Sequence, residues 1–234
     1  MPYQYTYILV NFFTIIICFI ASFHKKIQFS SYFKYYLLSS TIIAIPFILW
    51  DMYFTRIGVW WFDKQYTLGY SIGNLPLEEI LFFFCIPFSC VFTFYCFDKF
   101  YNWSWSKGLN NLIIFPSLII LIVVGLLTTD KIYTCVTAWV NVGTLIYLYF
   151  IRREQWIAQA SIIFTILMLG FFPVNGILTG SGLPSPIVNY NSDAILNIRI
   201  GTIPIEDAVY GYAQFLWNVF MFKVITKNKI SHGI

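Results

Sequence analysis

Charge and histidine are both scarce. Charged residues make up only 10% of the 234-residue sequence, and histidine occurs twice, as His24 and His232. Neither histidine has a second one nearby, so a histidine-based metal centre or catalytic triad has no material to build on. The five cysteines (Cys18, Cys85, Cys90, Cys96 and Cys135) are odd in number and contain no Cys-x-x-Cys pair. Such cysteines read as small apolar core residues rather than redox or metal groups. Also missing are a Gly-x-Gly-x-x-Gly turn, a glycine-rich phosphate loop with its lysine, and an Asp-Asp-x-x-Asp cluster. Nucleotide, flavin and diphosphate chemistry therefore have no visible anchor, and no cofactor or metal is expected. The net charge of +4 is scattered between apolar runs. It forms no basic patch, so nucleic acid is not an expected partner.

What the sequence has is apolar surface. Hydrophobic residues reach 59%, aromatic residues 21%, and the mean hydropathy is +0.73. This is the profile of a polytopic membrane protein. Apolar runs long enough to cross a bilayer are expected at about Tyr5–Phe23, Tyr35–Phe54, Pro76–Phe97, Leu112–Thr128, Ile132–Ile151, Trp156–Pro173 and Pro204–Ile225. No basic residue precedes the first run and no small-residue cleavage site follows it, so it is expected to be a retained helix. Asp51 lies near the exit of the second run, and Pro46 is the expected kink within it. Two long connections remain, Thr55–Leu75 and Val174–Ile203.

Of the fourteen basic residues, ten fall on one side of these spans and four (Arg56, Lys64, Lys131 and Arg199) on the other. An excess of Lys and Arg marks the cytoplasmic side. The expected location is thus the cell membrane, multi-pass, with the N-terminus outside and the C-terminus in the cytoplasm.

The chain states one phrase twice. Residues 72–82 read IGNLPLEEILF and residues 200–210 read IGTIPIEDAVY, aligned without a gap at an offset of 128. Ile72, Gly73, Pro76 and Glu78 recur as Ile200, Gly201, Pro204 and Glu206, while Glu79 becomes Asp207. Upstream, Asp51-x3-Thr55-x2-Gly58 matches Asn175-x3-Thr179-x2-Gly182 at an offset of 124. The expected fold is therefore all-α: seven transmembrane helices arranged as two parallel three-helix repeats joined by one linking helix. The boundaries are 1–103 for the first repeat, 104–130 for the linking helix and 131–234 for the second repeat.

Each acidic pair opens a long apolar run, where a carboxylate is expensive. Pro76 and Pro204 suit a first helical turn, and Asn74 and Thr202 just upstream are the expected helix caps. One acid at a helix start would simply complement the dipole; two adjacent acids, repeated, ask for more. Neighbours on a helix differ by about 100°, so only one acid of each pair is expected to face inward. The identical residues Glu78 and Glu206 are favoured over Glu79 and Asp207. A carboxyl that keeps its proton can act as an acid toward an apolar substrate. Asp51, Trp60, Phe82, Asn175, Tyr210 and Trp217 are the candidates to line a substrate or cation pocket, with aromatic faces able to support a carbocation.

The phrases NLPLEE (74–79) and TIPIED (202–207), with DMYFTRIGVWWF (51–62) and NGILTG (175–180), closely resemble the small integral-membrane lycopene cyclases. These include heterodimeric and fused bacterial and archaeal forms and the cyclase domain of fungal bifunctional phytoene synthases. The resemblance covers nearly the whole chain. It implies cyclisation of the ψ-ends of lycopene to β-rings, giving γ- and then β-carotene without net redox change. Glu78, Glu79, Glu206 and Asp207 stand at the family's motif acids. The implied partners are lycopene and other apolar carotenoids from the bilayer, membrane lipids, and other carotenoid-pathway enzymes. Read from the residues alone, a proton-coupled transporter could use the same acids, and a carotenoid hydratase is a further alternative.

Overall fold

The computed structural model describes residues 3–101 and 107–231. His232 and the expected boundary at 103–104 lie outside them. Seven helices carry the chain: α1 (Thr6–Ala21), α2 (Phe33–Arg56), α3 (Leu77–Phe100), α4 (Lys107–Leu127), α5 (Ile132–Leu145), α6 (Ile157–Leu178) and α7 (Ile205–Ser231). α5 continues as a π-helical segment over Ile146–Ile151. Six short strands sit in the two long connections: β1 (Trp60–Phe62), β2 (Ser71–Ile72), β3 (Leu75–Pro76), β4 (Val188–Tyr190), β5 (Arg199–Ile200) and β6 (Ile203–Pro204). The all-helical expectation is thus right for the spans and incomplete for the connections.

Among the described residues, six helical stretches are long and apolar enough to cross a membrane: Tyr3–Ala21, Phe29–Arg56, Leu77–Phe100, Lys107–Leu127, Ile132–Ile151 and Ile157–Leu178. The 27-residue α7 is not among them. Glu206 and Asp207 open it, Gln214 and Asn218 interrupt it, and Lys223 and Lys227 approach its end, which dilutes its hydropathy. The expected seven spans therefore become six by length and composition.

Polarity is arranged in the sense a bilayer demands. Ile17 is 75% exposed, Leu127 76% and Leu169 76%, whereas Asn11, Ser40, Asn110 and Asn141 are each at most 1% exposed. Apolar side chains outside and hydrogen-bonding ones inside are what helices surrounded by lipid need.

Two compact units divide the chain, one formed by residues 1–100 with 217–234 and the other by residues 101–216. The expected boundaries separate sequence repeats, whereas this division is one of packing: α4 groups with α5 and α6, and α7 contributes to both units. In the first unit, α1 and α2 both pack on α3. Asn11 Nδ2 donates to the Glu78 carbonyl at 2.8 Å and Ser89 Oγ to the Thr14 carbonyl at 2.7 Å, pinning α1 to α3. The fully buried Phe29 packs against Phe88, Phe92, Tyr95 and Phe222.

In the second unit α4 packs on α5 through Gly125, where a Cβ would lie 2.9 Å from Trp139 Nε1. Only glycine permits so close an approach. Asn110 accepts from the Ala158 N–H at 2.9 Å and donates to the Gln155 carbonyl at 3.0 Å, tying α4 to the start of α6. Asn141 Nδ2 donates to the Val209 carbonyl at 3.0 Å, tying α5 to α7.

α6 also corrects an expectation. It runs through Pro173 to Leu178, so Asn175 is a helical residue and not part of a loop. The helix resumes its ladder past the proline, with the Thr179 N–H on the Asn175 carbonyl at 2.9 Å.

Candidate functional site

Both acidic pairs are placed by the same small device, a hairpin that runs directly into a helix. Ser71 pairs with Pro76 and Ile72 with Leu75, leaving Gly73 and Asn74 as a two-residue turn. Arg199 pairs with Pro204 and Ile200 with Ile203, leaving Gly201 and Thr202. Gly73 has φ +64° and Gly201 φ +63°, while the second turn residue stays at negative φ. This is the type II′ pattern, which requires glycine first. The next rung joins the hairpin to the helix: the Leu77 N–H donates to the Tyr70 carbonyl at 2.9 Å, and the Ile205 N–H to the Ile198 carbonyl at 3.0 Å. A first-turn N–H that a helix normally leaves orphaned is thereby satisfied.

Asn74 and Thr202 are consequently turn residues, three positions ahead of the first helical residue, and not the expected caps. Their side chains do other work. Asn74 Nδ2 donates to the Met52 carbonyl at 2.9 Å, and Thr202 Oγ1 to the Gly176 carbonyl at 3.2 Å. Met52 and Gly176 follow Asp51 and Asn175 directly. Each turn thus anchors the preceding helix at the residue next to the matched Asp or Asn.

The carboxylates follow. Glu78 is 0% exposed, Glu79 8%, Glu206 2% and Asp207 6%. The expectation that one acid of each pair turns outward is therefore corrected, because all four are buried. Their helical separation instead gives them different partners. The first acid of each pair reaches back to the lead-in of its own hairpin: Glu78 Oε1 accepts from the Leu68 N–H at 2.5 Å, and Glu206 Oε1 from the Leu196 N–H at 2.7 Å. Glu206 Oε1 also accepts from Thr134 Oγ1 at 2.6 Å. The other oxygen of each, Oε2, is buried with no donor among the described residues. An oxygen so placed is free to carry a proton.

The second acids meet tyrosines. Tyr7 on α1 donates to Glu79, and Tyr133 on α5 donates to Asp207 Oδ1 at 2.9 Å. Asp207 Oδ2 accepts from Asn175 Nδ2 at 2.8 Å and from the Tyr190 hydroxyl at 2.8 Å. In the first unit Asp51 takes the place of Asn175. It is 3% exposed, accepts from Trp60 Nε1 at 2.5 Å and from Thr55 Oγ1 at 3.3 Å, and lies within hydrogen-bonding reach of Glu79.

The expected aromatic residues divide. Trp60 binds Asp51 directly. Phe82 lies against Tyr7, ring centroids 6.3 Å apart, and Tyr210 lies against Tyr133 at the same 6.3 Å. Trp217 lies ten residues and about 15 Å of helix beyond Asp207, with its ring against Phe220. Tyr7, Tyr133, Thr134, Tyr190 and Asn11 were not anticipated as functional residues. A signal was present for two of them, since Tyr7 and Tyr133 both stand at the start of the first helix of their region, 126 residues apart.

Lys223 pairs with Asp98 at 3.4 Å, both part-exposed, and the Arg199 guanidinium lies over the Tyr190 ring, 5.8 Å from its centroid. No group of three or more metal-ligating side chains occurs among the described residues, and the five cysteines are free. The clusters therefore consist of carboxyls, hydroxyls, amides and aromatic faces. Such a set can hold and pass a proton, and it can face a positive charge.

The model of one protein family, described as lycopene cyclase, matches residues 4–97 and again residues 130–225. The chain belongs to the lycopene cyclase family. The double match makes the internal repeat explicit, and each copy contains one complete hairpin, acidic pair and tyrosine. No curated relative and no solved structure matches the chain. Membership supports a lycopene cyclase role in carotenoid cyclisation, in a protein whose helices are apolar enough to cross a membrane.

Proposed function

We propose that this protein is a lycopene β-cyclase. The observation that carries the reading is the pair of buried carboxyl clusters, each at a hairpin–helix junction and each inside one copy of the family match. A carboxylic O–H breaks and its proton adds to the terminal double bond of a ψ-end. The resulting tertiary cation is attacked by a double bond further along the chain, closing a six-membered ring. The ring cation then loses a ring proton to a carboxylate. One proton enters and one leaves, so the reaction is an isomerisation needing neither reductant nor oxidant. Acid catalysis of this kind requires a carboxyl that retains its proton and a dry, electron-rich surround.

In this reading α7 is a seventh crossing, as its length of 27 residues permits. Each matched region then holds three crossings with α4 between them, the N-terminus outside and the C-terminus cytoplasmic. Lycopene enters from the bilayer, where it is soluble, and other carotenoid-pathway enzymes supply it.

The test is a pigment extraction from lycopene-accumulating bacteria that express the chain. A shift from red lycopene to yellow-orange β-carotene is expected. A hydroxylated product instead assigns a hydratase, and unchanged pigment with confirmed membrane insertion favours proton-coupled transport. Cyclisation in deuterated water should place one deuterium in each ring. Cyclisation without deuterium would remove the protonation step.

A further inference from the structure

The first acid of each pair is held differently in the two copies, and one residue on the first helix of each repeat makes the difference. Tyr7 and Tyr133 match at an offset of 126, and both donate to the second acid of their own copy. The next residue along is Ile8 in the first copy and Thr134 in the second. Thr134 is 4% exposed, and its Oγ1 donates to Glu206 Oε1 at 2.6 Å. Ile8 has no donor to give Glu78.

That bond is not the one the other helical threonines make. Thr14, Thr93 and Thr144 each donate to the carbonyl four residues back, at 2.8 Å, a local bond that competes for the hydroxyl. Thr134 is the third residue of α5, so the residue four back, Asp130, lies ahead of the helix. Its hydroxyl goes instead to a side chain 72 residues away.

The consequence is a carboxyl fixed from two sides. Glu206 Oε1 accepts the Leu196 N–H at 2.7 Å from the hairpin lead-in and Thr134 Oγ1 from α5. A carboxyl oxygen has two acceptor sites, both close to the plane of the group. Two donors on one oxygen therefore occupy it fully and set that plane. Oε2, buried without a donor among the described residues, is left as the oxygen where a proton can sit or leave. Glu78 Oε1 accepts from the Leu68 N–H alone among the described residues, at 2.5 Å. One site on that oxygen stays open, and the carboxyl plane can turn about the single bond.

We propose that Thr134 is a positioning residue for proton transfer in the second copy: it locks the Glu206 carboxyl so that Oε2 alone exchanges the proton. Resting on the cyclase reading above, the O–H broken in the first step is the one at Oε2, and the bond formed is a C–H on the substrate. The ring proton lost at closure returns to the same oxygen. Thr134 takes no proton itself and acts through Glu206.

Thr134→Val keeps the shape of the side chain and deletes the hydroxyl. In proteoliposomes of equal protein content, T134V should lower kcat for lycopene about tenfold with KM within about twofold, a change of about 1.4 kcal/mol in barrier. Thr134→Ser, which keeps the hydroxyl, should recover most of that loss. The double variant decides the route, because residues acting through one another are not additive: in a Glu206→Gln background T134V should change the remaining rate by less than about twofold. An undiminished kcat in T134V, or an equal loss with and without Glu206, overturns the proposal. Difference infrared spectra of the full chain in lipid nanodiscs give a readout that needs no substrate. Removing the Thr134 hydroxyl should displace a carboxyl-group band, and the displacement should vanish when Glu206 is replaced by Gln. No displaced band overturns the proposal, and where T134V fails to insert, Thr134→Ala is read by the same two measurements. A wild-type chain that leaves lycopene unchanged while T134V displaces the Glu206 band overturns the cyclase reading alone.

Discussion

The hydroxyl of Tyr133 donates to Oδ1 of Asp207 at 2.9 Å, and neither group has any exposure worth the name: Tyr133 is 3% exposed and Asp207 6%. A hydrogen bond to a charged, buried group contributes about 1.5–3 kcal/mol. Tyr133→Phe removes it while leaving the ring against Tyr190 and Tyr210, whose centroids lie at 6.2 and 6.3 Å. Asp207 retains Asn175 and Tyr190, so a partial effect is expected: cyclisation about tenfold slower, with unchanged insertion. Product quantified against time in membranes of equal protein content checks this. A rate within twofold of the wild type would show that the tyrosine only packs.

The two turn glycines offer a prediction about stability that is independent of chemistry. Gly73 and Gly201 share a left-handed backbone, φ +64° and +63°. Replacing either with Ala costs about 1–2 kcal/mol for that conformation alone. The surroundings then separate them. A Cβ at Gly73 would meet Met52 Cε at 3.0 Å, whereas nothing lies within 4 Å at Gly201. Gly73→Ala should therefore lower the melting temperature in detergent more than Gly201→Ala does. Equal shifts would mean that the Met52 side chain swings aside without cost.

Much of this arrangement could be read from residue order, and the reasons for the gaps are physical. The helices, the doubled phrase and the Asp51/Asn175 match are periodic or repetitive features, so pattern alone carries them. The hairpins leave no mark in residue order because each has strands of only two residues, too short for any alternation to register, and Pro76 and Pro204 read as helix openers. That error moved Asn74 and Thr202 from turns to caps. Asn175 reads as a loop residue because it follows the last apolar run in a stretch rich in Gly, Pro and Asn, yet the helical ladder continues past it. Tyr7 and Tyr133 act across more than seventy residues of chain. A single sequence holds no sign of which distant hydroxyl meets which acid. Trp217 shares a helical angle with Glu206, eleven residues ahead of it, but angle ignores distance along the axis.

Trp60 and Trp217 give a paired test of which aromatic residue matters for its polar atom. Trp60 is buried and places Nε1 at 2.5 Å from Asp51 Oδ1. Trp60→Phe preserves an aromatic face but deletes the donor, leaving a buried carboxyl oxygen short of a partner, at about 1–3 kcal/mol. A loss of about tenfold or more in cyclisation is expected. Trp217→Phe keeps the ring contact type with Phe220 and lies about 15 Å of helix beyond Asp207, so activity within about threefold of the wild type is expected. The reverse ranking would place the substrate's cation near Trp217 instead.

Glu78 and Glu206 have two separable duties, and two substitutions at each pull them apart. One oxygen straps the helix start to the hairpin lead-in, through the Leu68 and Leu196 N–H groups at 2.5 and 2.7 Å. The other oxygen is buried without a donor and is the one available for proton chemistry. Glu78→Gln and Glu206→Gln keep a carbonyl oxygen for the strap while abolishing acidity. Glu78→Ala and Glu206→Ala remove both, and a buried N–H left without its acceptor costs about 1–3 kcal/mol. The Gln variants should insert and melt near the wild type yet lose activity by about a hundredfold or more, equivalent to about 2.7 kcal/mol or more in barrier. The Ala variants should be equally inactive and less stable. Thermal melts in detergent beside pigment assays measure both axes at once. Were the Gln variants to keep full activity, the first acid of each pair would be a strap alone, and the chemistry would rest with Glu79, Asp207 and their partners.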